Sequence, residues 1–115
     1  MHELGLARDL FRTILERARK NNITKITRIV LKIGIASGVE KEFLVHSFRD
    51  HVFPGTSAEG AELILLDEPL TILCRNCEKD IQDSETFSLD CPFCGSPHIE
   101  ILKGKDILVE TIAGE

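Results

Sequence analysis

The sequence predicts an α+β fold: two helices on a small β-sheet, with a zinc-ribbon lobe inserted before the last strand. Three observations carry that expectation. Apolar residues recur at helical spacing over the first twenty positions. Alternating apolar and polar runs follow. All four cysteines fall in two Cys-x-x-Cys pairs between residues 70 and 103.

In the first helix Leu4, Ala7, Leu10, Phe11, Ile14, Leu15 and Ala18 form the apolar stripe, and Arg8, Asp9, Arg12, Glu16, Arg19 and Lys20 fill the opposite face. Asn21-Asn22 stops it. From about Thr27 to Ile35 the chain alternates, with Ile29, Leu31, Ile33 and Ile35 on one face and Arg28 and Lys32 on the other. That is a half-buried strand. Ser37 and Glu40 have the spacing of a capping box, so a second helix is expected after them, with Phe43, Leu44, Phe48 and Val52 inward. Pro54-Gly55 ends it. Ala61 to Glu68 reads as a second strand, and Asp106 to Ile112 as the last. Residues 1–69 with 104–115 then make one lobe, and 70–103 the cysteine lobe.

The chain has 115 residues, of which 43% are hydrophobic, enough for one modest core. Its net charge of -5 disfavours a nucleic-acid partner, which needs a dense Lys/Arg face. With no Trp or Tyr, base stacking would fall to six Phe. The same charge disfavours electrostatic attachment to a membrane, and no apolar run approaches the roughly 18 residues of a span. Met1-His2-Glu3-Leu4 lacks the basic segment and apolar core of a secretory leader, so a cytoplasmic location is expected. Cysteines there are metal ligands more readily than disulfides.

Cys74-Arg75-Asn76-Cys77 and Cys91-Pro92-Phe93-Cys94-Gly95 are separated by thirteen residues. Each Cys-x-x-Cys turn aims two thiolates at one point, and two turns complete a tetrahedron. Four thiolates suit structural Zn²⁺ and leave no open position for chemistry. The lobe of about 33 residues is below the roughly 40 that fold unaided, and zinc can supply the missing stability. Dithiol redox chemistry would use a single pair in a βαβ setting. An iron site of rubredoxin type shares the Cys-Pro-x-Cys-Gly turn and is the main alternative metal.

The amino terminus is a second candidate. A free α-amine, the amide nitrogen of residue 2 and the His2 imidazole can chelate one ion through fused five- and six-membered rings. Planar nitrogen donation favours Ni²⁺ or Cu²⁺. One position stays open for a recipient's ligand, as a carrier requires. Glu3 could add a carboxylate, or simply favour the positive end of the helix. An exposed histidine with no role is the plainer alternative. Among the other histidines, His46 is expected on a solvated face and His51 packed at the border of the apolar stripe. On an α-helix the two would lie about 140° apart and could not share an ion. His98 is expected in an exposed loop. There is no phosphate-binding glycine loop and no legible nucleophile–base pairing, so no enzyme activity is expected.

Met1-His2-Glu3-Leu4, Ile33-Gly34, Ser37-Gly38-Val39, Gly55-Thr56, Ala58-Glu59-Gly60-Ala61 and Cys91-Pro92-x-Cys94-Gly95-Ser96 together resemble the HypA/HybF family, the nickel metallochaperones of [NiFe]-hydrogenase maturation. The resemblance spans the chain. It implies Ni²⁺ held at the amino terminus by His2, with Glu3 beside it, and Zn²⁺ held by Cys74, Cys77, Cys91 and Cys94. It also implies delivery to the hydrogenase large-subunit precursor together with a nickel-binding GTPase (HypB), and in some organisms service to urease maturation factors. The implied fold is a nickel lobe plus a zinc ribbon. A monomer–dimer equilibrium through exchange of C-terminal elements is compatible with it. Ile35-Ala36 replaces the acidic residue and leucine common at that loop, and the insertion some archaeal members carry between the cysteine pairs is absent. Beside this reading stand a zinc-ribbon adaptor for other macromolecules and a small iron electron carrier.

Overall fold

The computed structural model describes residues 3–81 and 90–115. Helix α1 spans Glu3–Lys20 and buries Ala7, Phe11, Ile14 and Ala18, one residue of each turn or pair of turns. Leu15, expected inward, is exposed, because the buried stripe is narrower than the apolar one. Asn22 takes a left-handed φ of 59°. Its N–H bonds to Arg19 O at 3.2 Å, and that of Ile23 bonds to Ala18 O at 2.8 Å. These two bonds satisfy the last carbonyls of the helix in the Schellman arrangement.

Strand β1, Ile26–Gly34, follows and alternates as expected, with Ile29, Leu31 and Ile33 buried. Ile35 lies beyond the strand end and is exposed, contrary to the expectation of an inward residue. Helix α2 begins at Lys41, with Glu40 in the capping position and no side-chain cap hydrogen bond. The expected Ser37–Glu40 capping box therefore does not form. Ser37 N–H closes a turn onto Gly34 O, and Gly38 takes φ 75°, so residues 37–40 lack the helical spacing that the box requires.

α2 runs over Lys41–His46 and continues without a break into a π-helical segment, Ser47–Val52. Phe53 N–H bonds to Phe48 O, five residues back, at 2.8 Å. Leu44, Phe48 and Val52 are buried as expected, whereas Phe43 is 60% exposed. The buried set here also includes Phe53, whose ring lies 5.9 Å from Phe11 and 5.3 Å from Phe48. Each fully buried side chain of this size is worth about 1.5–3 kcal/mol of hydrophobic transfer.

β2, Glu62–Glu68, and β6, Ile107–Gly114, flank β1 in a three-stranded sheet of order β2-β1-β6. Lys25 and Glu115 exchange backbone hydrogen bonds at one end, and Gly34 N–H reaches Asp106 O at the other, so β6 runs antiparallel to β1. Ile26 N–H bonds to Ser57 O, Arg28 pairs with Glu62 and Ile35 N–H bonds to Glu68 O. That progression makes β2 parallel to β1, with α2 in the connection between them.

A second sheet, of order β4-β3-β5, is built from β3 Thr71–Cys74, β4 Asp80–Ile81 and β5 Ile99–Lys103. Both pairings are antiparallel, with Ile72 opposite Ile81 and Ile101. Residues cluster into two compact units: Met1–Lys32 with Val39–Leu66 and Leu108–Glu115, and Ile33–Gly38 with Asp67–Ile107. The second unit has its own apolar cluster of Leu70, Ile72, Cys74, Ile81 and Cys91. Gly34 and Gly104 abut in it. A Cβ on Gly34 would strike the Gly104 carbonyl and sit 2.7 Å from Asp106 O, and one on Gly104 would sit 2.8 Å from Pro69 O.

Candidate metal centre

The two Cys-x-x-Cys segments fold into turns of the same form. Glu78 N–H bonds to Cys74 O at 2.9 Å, and Gly95 N–H to Cys91 O at 2.8 Å. The residue four after the first cysteine is left-handed in both, Glu78 at φ 60° and Gly95 at φ 76°. Glycine adopts that conformation without steric cost, and Glu78 must be held there by its surroundings. β3 delivers Cys74, and Arg75 ties this turn to His98, just before β5, through its N–H on the His98 carbonyl, and to β5 itself through its guanidinium on Glu100.

Cys74, Cys77, Cys91 and Cys94 come together with all their sulfurs within 4.8 Å of one another. Cys74 Sγ is 3.6 Å from Cys94 Sγ, and Cys77 Sγ is 3.7 Å from Cys91 Sγ. A tetrahedral ion with bonds of about 2.3 Å to sulfur requires sulfur–sulfur edges of about 3.8 Å. The cluster therefore has the dimensions of a four-thiolate site for an ion such as Zn²⁺.

Hydrogen bonds around the cluster favour ionised sulfur. The N–H of Cys77 approaches Cys74 Sγ at 3.4 Å and that of Phe93 approaches Cys91 Sγ at 3.4 Å, while the Asn76 side-chain amide reaches Cys94 Sγ at 3.5 Å. The Asn76 amide, then the Ser96 backbone, hold the Cys94 thiol down to about 6 against burial. For Cys91 burial acts upward, but hydrogen bonds with the backbones of Cys94 and Phe93 outweigh it and the thiol lies below its usual value. At Cys77 a backbone hydrogen bond from Lys79 favours the thiolate, yet burial and the three neighbouring cysteines push it up to about 11. Hydrogen-bond donors draw Cys94 and Cys91 toward ionisation, and the crowding of sulfurs at these separations drives Cys77 toward the neutral thiol. A dication removes the conflict.

His98 is exposed and outside this cluster, as expected. Glu3 is the first residue of α1, half-buried. His2 lies outside the described residues. The expectation that His46 and His51 stand apart is overturned: their ring centroids are 5.2 Å apart. The widened winding of Ser47–Val52 brings residues five apart onto nearly the same side. Sequence reasoning also passed over Asn76, whose only sequence signal was a polar residue inside the first cysteine turn.

A family model described as hydrogenase/urease nickel incorporation, metallochaperone, HypA matches residues 1–114. Hydrogenase maturation factor HypA of Aquifex aeolicus is 38% identical over 112 residues, covering 97% of this chain and 96% of that protein. That of Moorella thermoacetica is 35% identical over 115 residues, covering all of both chains. The solution structure of the Ni metallochaperone HypA from Helicobacter pylori matches with a TM-score of 0.80 at 25% identity, over 99% of this chain and 97% of that one. Among the described residues no helix is long and apolar enough to cross a membrane.

Proposed function

The chain belongs to the HypA family of hydrogenase/urease nickel-incorporation metallochaperones, and we propose that it carries Ni²⁺ at its amino terminus, through His2 with Glu3 beside it. The observation that carries this reading is the family match from residue 1 to residue 114, which takes in the initiating Met1-His2-Glu3 as well as the cysteine pairs. The chemistry of the donors agrees with it. An α-amine, an amide nitrogen and one imidazole make a planar chelate with an open position, which suits Ni²⁺ that must later be released. Zn²⁺ is held by Cys74, Cys77, Cys91 and Cys94 in a closed, structural site; the sulfur spacing supports this.

In this reading residues 1–69 with 104–115 are the nickel lobe and 70–103 the zinc ribbon. The protein works in the cytoplasm and catalyses nothing itself. It passes its cargo toward the hydrogenase large-subunit precursor with the nickel-binding GTPase HypB, or toward urease maturation factors. Metal content is checked by elemental analysis and colour, since a four-thiolate iron site would be coloured and redox-active. Nickel binding is checked by calorimetric titration of the untagged, zinc-loaded protein beside His2→Gln and a variant with one Gly inserted after Met1. Loss of tight binding in both variants, with zinc retained, is the expected result. Equal nickel binding by all three proteins, or by none, would favour a zinc-ribbon adaptor instead.

A further inference from the structure

Outside the cysteine cluster, one group of metal-ligating side chains is drawn together by an unusual backbone. The chain switches from α- to π-winding between His46 and Ser47. On an α-helix, residues five apart point about 140° away from each other. With hydrogen bonds spanning five residues, the same separation is little more than one turn. His46 and His51 consequently meet edge to face, with ring centroids 5.2 Å apart and planes at 77°.

That spacing suits a shared ion. An ion about 2.1 Å from one nitrogen of each ring lies about 3.2 Å from each ring centre. Two rings so placed are about 4.5 Å apart for a right angle at the metal and about 5.2 Å for a tetrahedral one. Asp50 settles which nitrogen is available: its Oδ2 accepts a hydrogen bond from His46 Nδ1 at 2.6 Å. The proton is thereby kept on Nδ1, leaving the Nε2 lone pair of His46 for a metal. Carboxylate–histidine–metal arrays use this orientation.

The histidines also open onto a cleft of about 580 Å³ lined by Glu3, Leu4, Phe43, His46, Ser47 and His51. Both imidazoles are exposed, so an ion can enter and leave. Among the described residues only the four cysteines have three or more donors already converged within 4.8 Å. The histidine pair is thus a two-donor position, completed by water.

We propose that His46 and His51 form a second position for Ni²⁺, weaker and faster to exchange than the amino-terminal chelate. The identity of the cargo rests on the function proposed above; the two-imidazole site itself does not. Imidazole pairs of this kind hold borderline divalent ions through neutral nitrogen, and water can fill the remaining positions around such an ion.

The test is a nickel titration of the untagged, zinc-loaded full chain, followed by calorimetry and by long-range ¹H–¹⁵N spectra of the imidazoles. Four proteins are compared: wild type, His2→Gln, His46→Gln/His51→Gln and the triple variant. Wild type should bind a second, weaker Ni²⁺. His46→Gln/His51→Gln should weaken that phase at least tenfold and leave the tight phase intact. His2→Gln should do the reverse, and the triple variant should lose both. A wild type without a weak phase, or a weak phase unchanged in His46→Gln/His51→Gln, overturns the proposal. A tight phase that survives His2→Gln overturns the amino-terminal reading alone. Both histidines are on the surface, and Gln retains helix propensity. Should the double variant nevertheless unfold, the wild-type spectra decide: the His46 and His51 Nε2 signals must shift or broaden with the second equivalent, and unmoved signals refute the site.

Discussion

Removing the metal from the cysteine cluster should dissolve the second unit while the first persists. The apolar cluster of that unit contains three buried aliphatic side chains, Leu70 at 6%, Ile72 at 2% and Ile81 at 8% exposure. At about 1.5–3 kcal/mol each, they contribute roughly 5–9 kcal/mol of hydrophobic transfer. Its sheet is short, with strands of four, two and five residues. Structural zinc at a four-thiolate site supplies on the order of 10–16 kcal/mol of apparent binding energy, more than those three side chains together. Cys74 and Cys91 belong to the same cluster, so once the ion is gone its polar centre is four crowded sulfurs. The assay is amide hydrogen exchange at pH 7 before and after chelation. Amides of Cys74, Arg75 and Gly95, which donate to Lys79, His98 and Cys91 respectively, should lose protection. Those packed around Ile14 and Phe48, which are fully buried in the first unit, should keep it. Undiminished protection at Cys74 and Arg75 in a demonstrably metal-free protein would refute the claim that the ion holds this unit together.

Acidity should tune whatever order the metal-free unit retains. Cys94 is lowered in the fold to about 6 from a reference of 9, so its contribution is present above pH 9 and is lost as pH falls through about 6. Cys77 is raised to about 11, so its contribution is present below pH 9 and is lost as pH rises through about 11. If protection at Cys74 and Arg75 survives chelation, the ellipticity of the metal-free chain should therefore peak near pH 9, and a flat profile from a chain that keeps that order would contradict the opposed shifts. Gly34→Ala should destabilise by about 1–3 kcal/mol, as overpacking does, because its Cβ meets the carbonyls of Gly104 and Asp106. Thermal unfolding reads this as a fall of several degrees, and an unchanged midpoint would show that the backbone at residues 104–106 can yield.

Legibility followed the range of the interactions. Ala7, Phe11, Ile14 and Ala18 could be assigned to the core from their spacing because a single helix face decides their burial. The alternation of Ile29, Leu31 and Ile33 was equally plain, since strand geometry alone imposes it. Ser37 and Glu40 misled because a capping box is a local pattern, and Gly38 redirected the chain between them. Phe43 misled because an apolar residue is inward only where something covers it, and here it borders a cleft.

The sequence by itself determined the α+β class, the family and the four converging cysteines, because Cys-x-x-Cys turns place their sulfurs through covalent geometry and a few local hydrogen bonds. Only the tertiary structure decided how the sulfurs differ. Asn76 leans on Cys94, while Cys77 is crowded by its three neighbours, and neither relation is a spacing in the chain. The same holds for His46 and His51. Five residues apart, they are strangers on an α-helix and neighbours on a wider one. Nothing in their own identities selects between the two: the winding is part of a segment whose Phe48 and Val52 are buried and whose next residue, Phe53, packs against Phe11 and Phe48.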